Sequence, residues 1–101
     1  MSDQKEKYLV KWTSRFKKEY KIAQKRGCNI ELLKEVVHLI AMGNQQQKLM
    51  DEYDDHALSG NWKDHRELHL DPDWLLLYHL DEEVLVLSLV RTGTHSDIFK
   101  K

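Results

Sequence analysis

Residues 74–90 read WLLLYHLDEEVLVLSLV, with an acidic turn between the strongly apolar runs 74–80 and 84–90. Short apolar runs bounded by turn-forming residues are typical of buried β-strands, and neither run is long enough to span a bilayer. Residues 64–70 alternate weakly and are separated from the first run by a Pro-Asp turn. The three segments predict consecutive strands in an antiparallel meander. We expect the unbroken run 84–90 to be the most buried strand.

Two helices are predicted ahead of the meander. Ser14 is a candidate cap for a helix that runs to about Arg26, where Gly27 ends it. Asn29 is the corresponding cap for a helix over residues 30–42, which is again followed by a glycine. Apolar residues recur at helical spacing in this second segment.

The rest of the chain completes an α+β order. Residues 8–12 (YLVKW) are a strand candidate, and the polar, turn-rich residues 45–55 are interpreted as a connecting loop with room for one helical turn. Thr94 begins a last short helix, with Asp97 in the capping-box position. We therefore predict a single domain over residues 1–101, in which two N-terminal helices pack on a small, mainly antiparallel four-stranded sheet, in the order β-α-α-β-β-β with a short C-terminal helix.

Composition and charge exclude several classes of protein. The net charge is −1, but residues 1–34 carry ten Lys and Arg against four Asp and Glu, whereas residues 35–101 carry six against thirteen. This balance does not fit a uniform nucleic-acid coat, although a local basic face is possible. The single cysteine, Cys28, excludes an internal disulfide, and the N-terminus lacks a signal-peptide pattern. We expect a cytoplasmic protein with no membrane partner.

A basic face is predicted on the first helix. Its members share one side of the helix: Lys11, Arg15, Lys18, Lys21 and Lys25. The opposite side is apolar, with Trp12, Phe16, Tyr20 and Ala23. Such a pattern is ordinarily interpreted as the solvated outer face of a helix. The functional interpretation is a surface that faces phosphate groups.

Six histidines occur, at positions 38, 56, 65, 69, 79 and 95. His38 lies inside the second helix and His79 in an apolar strand, so we interpret both as structural. Residues 65–69 (HRELH) superficially resemble a zinc metalloprotease helix, but the glutamate stands at the wrong position and a Pro-Asp turn follows. On a strand, residues four apart lie roughly 13 Å from each other. We therefore predict no metal site and no cofactor.

Polar residues at the ends of the predicted strands form a different constellation. Its members are His56, Glu67, His69, Asp71, Asp73, Arg91 and His95. In a meander these positions can converge on one sheet edge. Imidazoles and carboxylates exchange protons near neutral pH, and an arginine can hold a phosphate. These groups are what metal-free RNA cleavage requires, because one takes the 2′-hydroxyl proton and another protonates the departing 5′-oxygen.

Three local motifs carry a family resemblance. Residues 56–62 (HALSGNW), 66–78 (RELHLDPDWLLLY) and 91–99 (RTGTHSDIF) occur in this order. Together they resemble the YafQ group of the RelE/ParE toxin superfamily, over most of residues 8–99. The predicted order of elements also matches the fold of that superfamily.

The resemblance implies an mRNA interferase that enters the ribosomal A site, cuts mRNA at adenine-rich codons and is silenced by a cognate antitoxin. The family's catalytic positions fall on His56, His69, Asp73 and His95, and its substrate-binding positions on Arg91 and Phe99. We expect His95 to be the general acid, and the general base stays open among the other three. Lys18 and Lys25 of the basic face are expected to attract RNA. Trp62 and Trp74 are interpreted as core residues.

Two alternatives to a nuclease stay open. One is a non-catalytic, ParE-like toxin that acts on a protein partner such as gyrase. The other is an inactive module that retains only antitoxin binding. Several titratable groups at convergent positions favour the nuclease, since a pure binder has no need of them.

Overall fold

The computed structural model describes residues 5–99, which form one mixed sheet and its covering helices. The elements are β1 (Leu9–Trp12), α1 (Ser14–Lys25), α2 (Ile30–Met42), α3 (Gln46–Tyr53), β2 (His56–Ala57), β3 (Arg66–Asp71), β4 (Trp74–Asp81), β5 (Val86–Gly93) and α4 (His95–Phe99). The strand order is β1-β5-β4-β3-β2, in which β1 pairs with β5 in parallel and every other pair is antiparallel. Among these helices, none has the length and apolar character needed to cross a membrane.

The α+β class and the three-stranded meander are confirmed, but the predicted number of strands is wrong. The sheet has five strands because β2 adds a two-residue edge, with His56 opposite Glu67 and Ala57 opposite Arg66. A strand of two residues is too short to produce a period-two pattern in the sequence. The sheet stays mainly antiparallel, with β1 as the parallel exception.

The predicted loop over residues 45–55 is also wrong, because most of it is helix α3. Its apolar content is small: Leu49 is buried in the core and Tyr53, four residues later, packs partly against it. A single such pair is a weak periodic signal, so packing rather than sequence pattern stabilises the helix. Asp54 ends it in the left-handed conformation, with φ of 55°.

The last strand lies further along the chain than predicted. Val84 and Leu85 are exposed, by 66% and 38%, in a turn where the Asp81 carboxylate accepts the N–H groups of Glu83 and Val84. The strand proper begins at Val86. The expectation that residues 84–90 form the most buried strand is therefore wrong: β4 is buried over its first five residues. The turn that the Asp81 carboxylate stabilises holds Val84 and Leu85 outside the core.

Of the two predicted helix N-caps, one is confirmed and the other is wrong by one residue. Asn29 Oδ1 accepts the N–H of Leu32, as expected. Thr13, not Ser14, caps α1, because Thr13 is extended and its hydroxyl oxygen accepts the N–H of Phe16. The same hydroxyl lies 3.1 Å from the carbonyl oxygen of Val90 and donates to it, which ties the start of α1 to β5.

Two apolar clusters lie on opposite faces of the sheet. The larger one packs the sheet against α1, α2 and α3 and includes Phe16, Val36, Leu76, Tyr78 and Leu87. The smaller one contains Leu75, Leu77 and Ile98, with Leu58, Trp62 and Phe99 packed against it. Successive residues of β4 alternate between the clusters, as a pleated strand requires. The second face is covered only in part, and this leaves space for a site.

Candidate active site

Three polar side chains share the sparsely covered face of the sheet. His56 stands opposite Glu67, Glu67 opposite Leu77, and His69 opposite Leu75. Cross-strand partners project from the same face, so the two histidines and the glutamate lie on the side of the smaller cluster, away from α1–α3.

A row of aromatic rings runs across this face. The ring centroids of His56 and His69 are 6.4 Å apart, and those of His69 and His95 are 6.2 Å apart. The Phe99 ring follows at 5.5 Å from His95. The structure therefore brings together three of the four predicted catalytic residues and the predicted stacking residue, from β2, β3 and α4.

His56 is fixed at both ring nitrogens. Its Nδ1 lies 2.7 Å from the carbonyl oxygen of Asp54, and its Nε2 lies 2.9 Å from Oε1 of Glu67. The Glu67 side chain is 5% exposed, whereas that of His56 is 43% exposed. The sequence analysis selected Glu67 as a member of the polar constellation, but only the register of β2 against β3 reveals its contact with His56.

The acidic residues before His56 divide between site and core. Asp54 faces the site, with one carboxylate oxygen 3.6 Å from Nε2 of His69. Asp55 is turned inward, where it accepts hydrogen bonds from Arg66 Nε at 2.6 Å and from the hydroxyl of Tyr78. Burial, together with the Asp55 charge, raises the pKa of Tyr78 well above its ordinary value, so this phenol stays protonated as a donor.

Three of the remaining predicted residues line a cleft next to the start of α4. The cleft has a volume of about 450 Å³ and lies between α1, the β3–β4 turn and the start of α4. Lys18, Asp73 and Arg91 are among its lining residues. Asp73 is exposed, and its N–H donates to the carboxylate of Asp71. Lys25 is exposed on α1 and is not among the described residues that line the cleft.

Arg91 is held by a residue that the sequence reasoning did not select. Its Nε lies 3.0 and 2.9 Å from the two carboxylate oxygens of Glu19, and its Nη2 lies 2.8 Å from one of them. Glu19 also accepts the N–H of Thr92 at 3.0 Å. β1 ends at Trp12, which pairs with Leu89, so the later residues of β5 have no partner on β1. The Glu19 carboxylate therefore accepts the hydrogen bond that a strand carbonyl would otherwise accept. The only sequence signal was the spacing of Glu19 from Arg15, a common surface pair.

The start of α4, which carries His95, is fixed by a reciprocal cap. Thr94 N–H donates to the carboxylate of Asp97 at 3.0 Å, and Asp97 N–H donates to the hydroxyl of Thr94 at 3.1 Å. This confirms the predicted capping box. The hydrogen bond from the Thr94 backbone is the largest cause that lowers the pKa of Asp97, and Arg26, 3.3 Å away, adds to it.

The residues interpreted as structural have mixed outcomes. Trp74 is buried in the main core, and Trp62 packs half-buried against the smaller cluster, with its ring 6.2 Å from Phe99. His79 is half-buried, next to the ring of His65. His38 is not a core histidine: its side chain is 48% exposed, and Nδ1 lies 2.7 Å from a carboxylate oxygen of Glu6.

The fold is that of a small domain of the RelE type. A family model described as "Bacterial toxin of type II toxin-antitoxin system, YafQ" matches residues 8–100. The chain is 37% identical over 90 residues to the mRNA interferase toxin YafQ of Escherichia coli strain K12. This alignment covers 89% of this chain and 94% of that protein. The chain therefore belongs to the YafQ family of type II toxins and is homologous to an endoribonuclease, as the motifs indicated.

Solved structures agree with this assignment. The crystal structure of YafQ from E. coli BL21(DE3) matches with a TM-score of 0.80 at 35% identity, covering 91% of this chain and 98% of that one. YafQ in the E. coli DinJ-YafQ toxin-antitoxin complex matches with a TM-score of 0.79 at 35% identity, over 92% and 98%. A metal-bound toxin from Helicobacter pylori matches with a TM-score of 0.81 at 40% identity, over 91% and 99%.

Proposed function

We propose that this protein cleaves mRNA in the ribosomal A site by metal-independent acid/base catalysis, through attack of the 2′-hydroxyl. The observation that supports the proposal most strongly is the row of three imidazoles on one open face, with ring centroids spaced by 6.4 and 6.2 Å. Imidazoles hold and release protons near neutral pH, which is what both halves of this reaction need.

In the proposed reaction, a base takes the proton of the 2′-hydroxyl and the 2′-oxygen attacks the adjacent phosphorus. The bond from phosphorus to the 5′-oxygen breaks, and His95 donates a proton to that oxygen. The base is one of His56, His69 and Asp73. The products are a 2′,3′-cyclic phosphate and a 5′-hydroxyl, so protons and charge balance without a metal.

Substrate contacts are assigned to residues around the row. Phe99 offers a face for stacking a base beside His95. Arg91 is assigned to the phosphate. Its Nε and Nη2 already donate to Glu19 and to the carbonyl of Asp97. Its Nη1 donates to no group within residues 5–99 and is assigned to the substrate. Lys18 and Lys25 supply positive charge along α1, which favours approach to RNA.

A cognate antitoxin is the proposed protein partner. The E. coli relative is described in a complex with DinJ, and this chain matches that toxin over nearly its whole length. We infer that this chain is likewise silenced by an antitoxin, and that it acts in the cytoplasm, where ribosomes translate.

Mapping of transcript 5′ ends after induction tests the nuclease proposal against its alternatives. We expect new ends within codons of translated mRNA, and none when translation initiation is blocked. Growth arrest without new ends would favour a ParE-like toxin that acts on a protein such as gyrase. An absence of both effects would leave an antitoxin-binding module.

Metal independence has its own test, since the H. pylori relative is described as metal-bound. Within residues 5–99, no group of three or more His, Cys, Asp and Glu side chains is arranged to hold a metal ion. We expect the purified protein to cleave ribosome-bound mRNA equally well after EDTA treatment and return to magnesium buffer. Loss of cleavage that zinc or copper restores would contradict a metal-free mechanism.

A further inference from the structure

The row of rings on the open face of the sheet continues past Phe99. The ring centroid of Trp62 lies 6.2 Å from that of Phe99, that of His65 lies 5.5 Å from Trp62, and that of His79 lies 5.4 Å from His65. His79 follows Leu77 by two residues on β4, so it projects from the same face of the sheet. We call Trp62, His65 and His79 the aromatic platform. It extends the row toward the end of β4.

The backbone that carries the platform is tied by hydrogen bonds. Trp62 ends the short 3₁₀ turn Gly60–Trp62, and its carbonyl accepts the N–H of His65 at 3.0 Å. The carbonyl of His65 in turn accepts the N–H of Leu58 at 2.9 Å. The Trp62 ring is also held by its packing against the smaller apolar cluster. A platform fixed in this way binds a flat ligand with little loss of conformational entropy.

The platform combines accessible ring surface with free polar atoms. All three of its residues are half-buried, so each stays partly open to solvent. Among residues 5–99, His79 makes no side-chain hydrogen bond, and His65 makes one, in which its Nδ1 lies 3.2 Å from the carbonyl oxygen of Lys63. A histidine of the core would be enclosed and hydrogen-bonded. These two rings therefore keep nitrogen atoms for the edge of a ligand, as well as surface for stacking.

A nucleobase fits this chemistry better than a protein segment does. Unpaired bases stack on aromatic and histidine rings and form hydrogen bonds along their edges. The platform adjoins Phe99, which is assigned to stack a base, so a neighbouring nucleotide of the same strand would lie against it. The exposed residues Lys63 and Asp64 offset each other's charge, so binding here depends on stacking. Three side chains are also far smaller than the roughly 800 Å² that each partner buries in a stable protein interface.

We propose that the aromatic platform is a binding subsite for one nucleobase of the mRNA, beside the nucleobase that stacks on Phe99. This inference rests on the proposed nuclease function and adds a recognition subsite to it. Phe99 separates the platform from His95, so the platform touches no reacting atom. Its loss should therefore weaken substrate binding and leave the rate of bond cleavage unchanged.

Single-turnover cleavage on ribosomes tests the subsite with paired changes in toxin and mRNA. Each mRNA carries one abasic nucleotide, placed in the A-site codon or directly beside it. With intact mRNA, the double variant His65→Ala, His79→Ala is expected to raise the half-saturating toxin concentration about fivefold or more, at a maximal rate near that of the wild type. With wild-type toxin, one abasic position is expected to produce the same increase. The double variant should not respond to the loss of that nucleobase.

Control variants separate stacking from folding. His38→Ala, exposed on α2, is the matched control and should keep the wild-type half-saturation. His79→Phe retains a flat ring and should recover most of the binding that His79→Ala loses. Thermal melts show which variants are folded. If the double variant is not, His79→Ala alone gives the comparison.

The outcomes distinguish the subsite from the nuclease function. A folded double variant that responds like the wild type to every abasic position overturns the subsite and leaves the nuclease intact. A lower maximal rate with unchanged half-saturation also overturns it, and loss of antitoxin binding with unchanged cleavage would assign the surface to a protein. A wild-type protein that cleaves nothing contradicts the nuclease function. Its binding to ribosomes that carry the same mRNAs then tests the subsite, which equal binding to all of them overturns.

Discussion

The two faces of the sheet differ in composition and in how far they are covered. The face toward α1–α3 is a continuous apolar core in which Leu76, Tyr78 and Leu87 are almost fully buried. The opposite face has a small apolar cluster and a row of solvent-accessible imidazoles. Because successive residues of a strand point to alternate faces, one strand serves both purposes. Substitutions should therefore affect either stability or chemistry according to the face on which they lie.

The largest effect is expected at the end of the ring row. His95→Ala should lower single-turnover cleavage by about 100- to 10,000-fold, the usual contribution of a general acid. The melting temperature should change little, since Thr94 and Asp97 form the cap of α4. His38→Ala is the matched control, because that exposed histidine belongs to α2. A His95→Ala protein that cuts at the parental rate removes His95 from the mechanism.

Substitutions on the helix-covered face should lower the free energy of unfolding. Leu87→Ala removes a fully buried side chain from the main core and should cost about 2–5 kcal/mol of unfolding free energy. Leu9→Ala, on the neighbouring strand β1 but 64% exposed, should change it by about 0.5 kcal/mol or less. Urea denaturation gives both values. Equal stabilities for the two variants would contradict the assignment of this face as the core.

The buried polar contacts of Asp55 on the helix-covered face should show an intermediate effect. Asp55→Asn weakens the buried contacts with Arg66 and Tyr78 and should cost about 1–3 kcal/mol. In a double-mutant cycle with Tyr78→Phe, the two losses should not add, because they break the same hydrogen bond. Denaturation of the three variants measures the coupling. Strictly additive losses would mean that the Asp55–Tyr78 contact contributes nothing in solution.

The smallest effect concerns the cap of α4 and depends on pH. The pKa of Asp97 is lower in the folded protein than its ordinary value, chiefly through the Thr94 backbone hydrogen bond. Its contribution to stability is therefore complete above the ordinary pKa of aspartate and is lost as the pH falls through the lower folded-state value. Asp97→Asn should cost about 1 kcal/mol or less at neutral pH, since the group is partly exposed. Thermal melts from neutral to strongly acidic pH should show the difference shrinking, and a constant difference would contradict the charged cap.

Regular elements with clear local signals were predictable from the sequence. The residues of α2, its Asn29 cap and the capping box at Thr94 follow from short-range chemistry that the sequence states directly. The helix α3 was missed because one buried leucine supports it, and tertiary packing supplied what the pattern lacked. The start of β5 was misplaced because apolar character alone does not distinguish a strand from an exposed turn.

For the site, the residue types were predictable but their partners were not. The motifs selected His56, His69 and His95, and the structure places their rings in one row. The contacts of Glu67 with His56 and of Glu19 with Arg91 join segments 11 and 72 positions apart. Such pairings depend on strand register and on how a helix docks against a free strand edge, which no local pattern encodes.

The central claim is that these imidazoles catalyse attack by the 2′-hydroxyl on the adjacent phosphate. The most direct measurement compares two ribosome-bound mRNAs that differ by one atom, a 2′-hydroxyl or a 2′-deoxy sugar at the mapped cleavage site. We expect cleavage of the first, with a cyclic phosphate on the upstream fragment, and no cleavage of the second at that bond. Cleavage of the 2′-deoxy mRNA there at the same rate would contradict it.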